Sequence, residues 1–266
     1  SDAVQFDFRN LLGAIYERGA DAGECFAAAS QIRDGDFQSW FDVWTAWGDR
    51  LAGIAAASDT AGHRVSAREA YLRASSYYGA AQWYALAVGT SETLTAAFEK
   101  GRTAFEGFTS RLEVPAQPVD IPYERTTLPG YAFTVDTSGE PRPWFIMNNG
   151  SDGTITAMWV TGIAAALRRG YNVLTFDGPG QGAALFRQKL SFRYDWEKVI
   201  TPVIDFLVAR KDVDADRIGI LGLSQGGYWV PRALAFEHRI AAAVLDPGVF
   251  DVMTSWTSQI PPDALQ

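Results

Sequence analysis

The chain has 266 residues, 47% of them apolar and 13% aromatic, which is enough core for one large α/β domain or for a smaller one beside a helical companion. A net charge of -8 weighs against nucleic acid or an anionic membrane surface as a partner. No apolar run reaches spanning length, and Asp2 and Asp7 stand where a signal peptide would be basic, so the sequence reads as soluble and cytoplasmic. Cys25 is the single cysteine, which excludes an intramolecular disulfide, and it reads as a small buried hydrophobe.

The first part, residues 1–112, is predicted to be all helical. Phe37, Trp40, Phe41, Trp44, Trp47, Leu51 and Ile54 recur at spacings of three and four, drawing one apolar stripe whose tryptophans must be buried. Ser66 and Glu69 have the spacing of a capping box and predict a helix start there. Tyr71, Ala74, Tyr78, Ala81 and Ala85 continue that helix, and Leu94, Phe98, Phe105, Phe108 and Leu112 trace another, interrupted by Gly101 and Gly107. Arg73 and Tyr77 are polar groups on an apolar helix and are candidate substrate contacts, while His63 beside Gly62 reads as a solvated loop residue.

Residues 113–120, with Pro115 and Pro118, are predicted to be a stiff linker, because each proline fixes its own φ and restrains its predecessor. The second domain then covers residues 121–266. Residues 121–127 and 131–135 read as a hairpin turned at Leu128, Pro129 and Gly130, on the edge of a sheet. Residues 144–147 make a buried strand, and a helix follows with Ile155, Met158, Trp159, Ile163, Ala166 and Leu167 on one face. That helix ends at Arg168, Arg169 and Gly170. Residues 171–176 form the next strand, and Asp177, Gly178, Pro179, Gly180, Gln181 and Gly182 turn the chain after it. A helix over 195–210 is either kinked at Pro202 or restarted at Thr201. The elbow strand, its helix from Gln225 to about Glu237, and a strand over 240–245 complete an alternation that requires right-handed crossovers and a parallel sheet.

The chemistry concentrates at residues 217–230. Ile218, Ile220 and Leu221 make a buried strand, and Gly222, Leu223, Ser224, Gln225 and Gly226 match the G-x-S-x-G nucleophile elbow. A sharp strand-to-helix turn lifts the Ser224 hydroxyl above the sheet edge and leaves the Gln225 N–H at a helix N-terminus, where an oxyanion is stabilised. The second oxyanion donor comes from the loop after an earlier strand; the Ser151 N–H is the first candidate and Asp152 the alternative. Asp177 resembles a catalytic carboxylate but reads better as the residue that fixes its own turn. No Gly-Lys-Ser/Thr follows the glycines, which rejects a phosphate cradle, and neither a metal nor a cofactor is expected.

A serine of ordinary acidity needs a histidine beside it, and the chain has two, His63 and His238. His238 follows the elbow helix, roughly 20 Å from Ser224 at 1.5 Å per residue, and His63 precedes the sheet domain altogether. Asp246 is an acid at a strand end without a histidine to orient. The expectation is therefore that the natural polypeptide continues past Gln266 and supplies an Asp or Glu and a His, the run Ile260, Pro261, Pro262 and Asp263 marking an interruption.

Arg217 through Gly227, the turn from Asp177 to Gly182 and the strand end Leu245, Asp246, Pro247 and Gly248 resemble the α/β-hydrolase superfamily. Residues 63–74 are similar to a subgroup with an N-terminal helical domain, which contains 2,6-dihydroxypseudooxynicotine hydrolase and fungal yellowish-green polyketide-shortening hydrolases. The likeness covers almost the whole chain. It implies an α/β-hydrolase fold incomplete at its C-terminus, a Ser-Asp-His triad with Ser224 as nucleophile, and a homodimer. It also implies cleavage of a carbon–carbon bond beside a ketone in an acyl-aromatic or polyketide-like small molecule. A carboxylesterase or prolyl-oligopeptidase-like peptidase is the enzymatic alternative. A catalytically silent binding protein with the same fold is the alternative from another class.

Overall fold

The structure, a computed structural model, describes residues 2–257, so the interruption expected at residues 260–263 lies outside the described residues. Two compact units emerge, one comprising the chain up to Ala116 together with Thr156–Ala164, the other Gln117–Ile155 and the chain from Ala165 onward.

In the helical unit, α1 (Asp2–Gly13), a 3-10 turn (Ala14–Glu17), α2 (Ala22–Ala29), α3 (Phe37–Thr60), α4 (Arg64–Gln82), α5 (Ala85–Val88) and α6 (Ser91–Thr109) succeed one another. Asp21 and Asp36 accept the backbone N–H groups of Glu24 and Ser39 at 3.0 Å, satisfying donors that the starts of α2 and α3 leave open. Trp40, Trp44 and Leu51 of the α3 stripe are buried, but Trp47 is half-buried and Phe37 and Ile54 are exposed. The neighbouring helices cover the middle of the long stripe better than its ends.

Contrary to the capping-box expectation, α4 begins at Arg64 after His63, Ser66 lies within it, and Glu69 pairs with Arg18. Spacing alone does not distinguish a cap from residues of the first turn. A capping box does form at Thr90 and Thr93 before α6. Gly101 and Gly107 weaken α6 as helix formers yet allow close packing, since a Cβ at Gly107 would stand 2.9 Å from the Tyr71 ring. Thr156 shares a hydrogen bond of 2.5 Å with Ser75, and Trp159 meets Phe108 edge-on at 4.7 Å between centroids.

The sheet unit orders its strands β1-β2-β4-β3-β5-β6. These are β1 (Gln117–Tyr123), β2 (Thr126–Phe133), β3 (Arg142–Asn148), β4 (Asn172–Phe176), β5 (Val213–Leu223) and β6 (Ala242–Asp246). β1, β2 and β4 pair antiparallel, and β4, β3, β5 and β6 run parallel. The hairpin therefore occupies the edge, but its turn is at Glu124 and Arg125, where Tyr123 pairs with Thr126 and Glu124 takes φ +47°. Leu128, Pro129 and Gly130 are inside β2. Gly130 is there for close approach, since a Cβ would meet the Thr175 carbonyl at 2.5 Å. Residues 117–120 of the predicted linker belong to β1.

The predicted helix over 155–167 forms as α7 (Ile155–Met158), a π turn (Trp159–Ile163) and α8 (Ala164–Arg168). Gly170 ends it at φ +82°. α9 (Gly182–Phe186) follows the glycine turn, α10 (Glu197–Val208) passes through Pro202 without restarting at Thr201, and α11 (Gly226–Leu234) stops three residues short of Glu237. Val199, Ile200, Val203, Ile204 and Leu207 hold α10 against Trp144, Ile146, Ile218 and Ile220 of the sheet, and this packing outweighs one lost backbone hydrogen bond. α12 (Val252–Thr257) was not legible in the sequence. Among the described residues, no helix is long and apolar enough to cross a membrane.

Candidate active site

Ser224 follows β5 and adopts φ +54°, a left-handed conformation that an L-residue holds only when its surroundings impose it. Those surroundings are specific. The Ser224 N–H donates to the Asp246 carbonyl at 2.7 Å, and its own carbonyl accepts the Gly227 N–H at 2.8 Å. Glycines on either side make the turn passable: a Cβ at Gly222 would stand 2.3 Å from the Gly226 carbonyl, and one at Gly227 would stand 1.8 Å from that of Pro247. The Ser224 side chain is exposed. Gln225 is the N-cap of α11, and its N–H sits where the helix start concentrates partial positive charge.

The loop after β3 reaches the same place. A Cβ at Gly150 would lie 2.8 Å from Ser224 Cβ and 3.3 Å from Ser224 Oγ, so only glycine lets this loop touch the elbow. Ser151 is half-buried beside it and donates its hydroxyl to the exposed Asp152 carboxylate at 2.6 Å. Asn148, Asn149 and Gly150 are buried. Asn148 accepts the Trp196 indole N–H at 2.9 Å and donates to the Asn149 carbonyl at 3.0 Å. The Gln181 amide donates to the Asn149 and Gly150 carbonyls at 2.8 and 2.7 Å and accepts the Gly178 N–H at 2.8 Å. Gln181, Asn148 and Trp196 thus build the site and escaped sequence reading. Gln181 in its glycine-rich turn was the only available hint, because a buried amide among glycines needs partners.

The remaining candidates fall elsewhere. Asp177 is 3% exposed and accepts the Ala183 N–H at 2.9 Å, and a Cβ at Gly182, φ +37°, would collide with its carboxylate. This is the turn-fixing task. Asp246 is exposed and offers Ser224 its backbone carbonyl. His238 is exposed beyond the C-terminal end of α11, whose nine residues put about 13 Å between its two ends. His63 is an exposed residue of the helical unit.

Arg73 and Tyr77 converge within the helical unit on Glu24, whose carboxylate accepts from Tyr77 at 2.7 Å and from Arg73 at 3.1 Å. Tyr77 is fully buried, and burial, reinforced by Glu24, pushes its phenol far above the ordinary value. Burial also raises the Cys25 thiol to about 11, in keeping with an inert core residue. Among the described residues no cluster of His, Cys, Asp and Glu is suited to a metal ion.

Comparison with known proteins gives four consistent likenesses. Residues 158–263 match the prolyl oligopeptidase family. The hydrolase acrC of Aspergillus aculeatus is 36% identical over 98% of this chain and 65% of its own length. The 20-hydroxy-prefusarin hydrolase FUS2 of Gibberella moniliformis is 34% identical, with 98% and 64% covered, so the chain spans just under two thirds of these relatives. Among solved structures, 2,6-dihydroxy-pseudo-oxynicotine hydrolase superposes with a TM-score of 0.81 at 25% identity, over 94% of this chain and 68% of that one. With a left-handed serine between a parallel strand and its helix, and with the likenesses to acrC and to 2,6-dihydroxy-pseudo-oxynicotine hydrolase running through nearly all of the chain, this chain has the α/β-hydrolase fold.

Proposed function

We propose that this chain carries the nucleophile of a serine hydrolase that cleaves a carbon–carbon bond beside a ketone in an acyl-aromatic or polyketide-like small molecule. The observation that carries this reading is Ser224 at φ +54°, exposed at the elbow and in contact range of Gly150 from the β3 loop. Ser224 Oγ adds to the ketone, its proton passing to a histidine other than His63 and His238, and the carbonyl π pair becomes an oxyanion facing the Gln225 and Ser151 N–H groups. Collapse reforms the carbonyl and breaks the carbon–carbon bond. The pair leaves on the released carbon, the ring carbon of an acyl-aromatic substrate or the enolate carbon of a diketone, and takes up the proton that the histidine holds; water then releases the acyl group from Ser224 as an acid. The names of two relatives, which act on 20-hydroxy-prefusarin and on 2,6-dihydroxy-pseudo-oxynicotine, favour a small aromatic or polyketide substrate. The same resemblance favours a homodimer, which sedimentation of the full natural chain measures.

The match of residues 158–263 to the prolyl oligopeptidase family favours a second reading, an ester or peptide hydrolase using the same serine. Turnover of an aryl 1,3-diketone against a p-nitrophenyl ester in the full natural chain separates the two. Release of two carbonyl-derived fragments from the diketone supports the first reading, and alcohol release with the diketone left intact supports the second. Ser224→Ala is expected to lower either activity by about a thousandfold or more. Undiminished turnover in that variant rules out both, and failure of any fluorophosphonate to label the wild-type serine favours a silent binding protein.

A further inference from the structure

We propose that Gln181 is a positioning residue of the oxyanion hole, acting by orienting and polarising the Ser151 N–H; this rests on the serine-hydrolase reading above. Gln181 is 3% exposed, and its amide is engaged at both ends, with Oε1 accepting from Gly178 and Nε2 donating to the Asn149 and Gly150 carbonyls. A peptide unit is planar and trans, so its C=O and N–H point in opposite directions. Anchoring the Gly150 carbonyl therefore turns the Ser151 N–H away from Gln181. Anchoring the Asn149 carbonyl does the same to the Gly150 N–H, and that donor is taken by Asn149 Oδ1 at 2.8 Å.

The next N–H in the loop, that of Ser151, is thereby the one the loop presents as a donor. A carbonyl that accepts a hydrogen bond withdraws charge from its own amide and strengthens the N–H on the far side. Gly150 keeps this peptide against the nucleophile, since a Cβ there would lie 2.8 Å from Ser224 Cβ. Asp152, one peptide further on, lacks the carbonyl anchor that Gln181 gives Ser151. The turn that supplies Gln181 is itself braced, by Asp177 accepting from Ala183 at 2.9 Å and by Gly180 and Gly182 at φ +85° and +37°. The Asp177 to Gly182 turn thus has a catalytic task exercised at a distance, through the loop it holds.

The test uses the full natural chain with benzoylacetone as probe, or p-nitrophenyl acetate if esters are what it turns over. An aryl trifluoromethyl ketone serves as the tetrahedral mimic. Gln181→Met keeps the length and deletes the amide. It is expected to lower kcat about 10- to 100-fold with KM nearly unchanged, and to weaken the trifluoromethyl ketone by the same factor. Gln181→Glu is isosteric, lacks the two donors and is expected to show the same split. Ser151→Pro removes the N–H itself, and adding Gln181→Met to it should cost nothing further, because both changes act on one donor.

Unchanged kcat in a folded Gln181 variant, a loss carried by KM alone, or additive losses in the double variant would overturn the proposal. If Gln181→Met does not fold, Gln181→Glu and its combination with Ser151→Pro decide the question by the same criteria. Ser224→Ala keeps the two claims apart. Retained turnover there removes the serine reading and this inference with it, whereas abolished turnover beside an unaffected Gln181 variant removes the positioning role alone.

Discussion

The helical unit and the sheet unit solve the same problem, burying polar groups without stranding them, in different ways. In the helical unit tyrosine hydroxyls are matched one by one to carboxylates: Tyr77 to Glu24, Tyr78 to Asp49 and Tyr84 to Asp7, at 2.7, 2.7 and 2.6 Å. Each pair joins elements far apart in sequence and leaves the aromatic body to the core. In the sheet unit the comparable bonds run from side-chain amides to backbone, as at Asn148, Asn149 and Gln181. Side chains paired with side chains fix how helices pack, whereas side chains paired with backbone fix where particular N–H and C=O groups point. The second kind stands beside the strained Ser224.

That contrast can be broken most severely at Gly227. A Cβ there would come within 1.8 Å of the Pro247 carbonyl, a backbone atom that cannot rotate away. Gly227→Ala is expected to cost the sheet unit roughly 3 kcal/mol or more and to abolish serine labelling. Urea unfolding followed by circular dichroism measures the first effect and fluorophosphonate incorporation the second; a variant of wild-type stability would show that the elbow is not held by this approach.

In the helical unit the corresponding test is Tyr77→Phe, which strips Glu24 and the Asp21 N–H of a buried partner. The expected cost is about 1–3 kcal/mol in urea unfolding. A rise in KM at unchanged stability would instead return Tyr77 to the substrate-contact role that its sequence position suggested.

A finer comparison lies within one helix. The Trp40 indole donates to the Ala80 carbonyl at 2.8 Å, while the Trp44 indole N–H, equally buried, has no partner among the described residues. Trp40→Phe should therefore be more destabilising than Trp44→Phe by about 1 kcal/mol, read from paired denaturation curves. Equal costs would mean that ring volume alone decides.

The smallest effect is electrostatic. Hydrogen bonding to Arg193 holds the Asp195 carboxyl at about 2, below its ordinary 3.8. A depressed folded-state value means that the unfolded chain binds the proton more readily, so this contribution is complete above about pH 4 and is lost as pH falls toward 2. Asp195→Asn should lower stability slightly above about pH 4, the partial solvent exposure of the pair keeping the loss small, and leave it unchanged near pH 2, so that the acid limb flattens over that window. An acid limb identical to wild type would assign the loss to other carboxylates.

Much of this was legible in the order of residues. Three- and four-residue aromatic spacing announced α3, β-branched runs announced β4 and β5, and the G-x-S-x-G string announced a strained turn, because these signals arise from interactions between near neighbours in the chain. The hairpin turn was misplaced because Pro129 and Gly130 carry the composition of a turn, while the sheet uses Gly130 for its approach to Thr175. Ser66 and Glu69 failed for a related reason, as their spacing fits a first turn as well as a cap.

What only the tertiary structure decided is which distant groups meet. The sequence named Ser151 and Ser224 as candidates, but the contact range between Gly150 and Ser224, and the hold of Gln181 on carbonyls some thirty residues away, depend on β3, β4 and β5 lying side by side. Local pattern reports the conformations a segment prefers. The direction in which a buried N–H finally points is set by the partner that takes its carbonyl, and that partner arrives only when the sheet has formed.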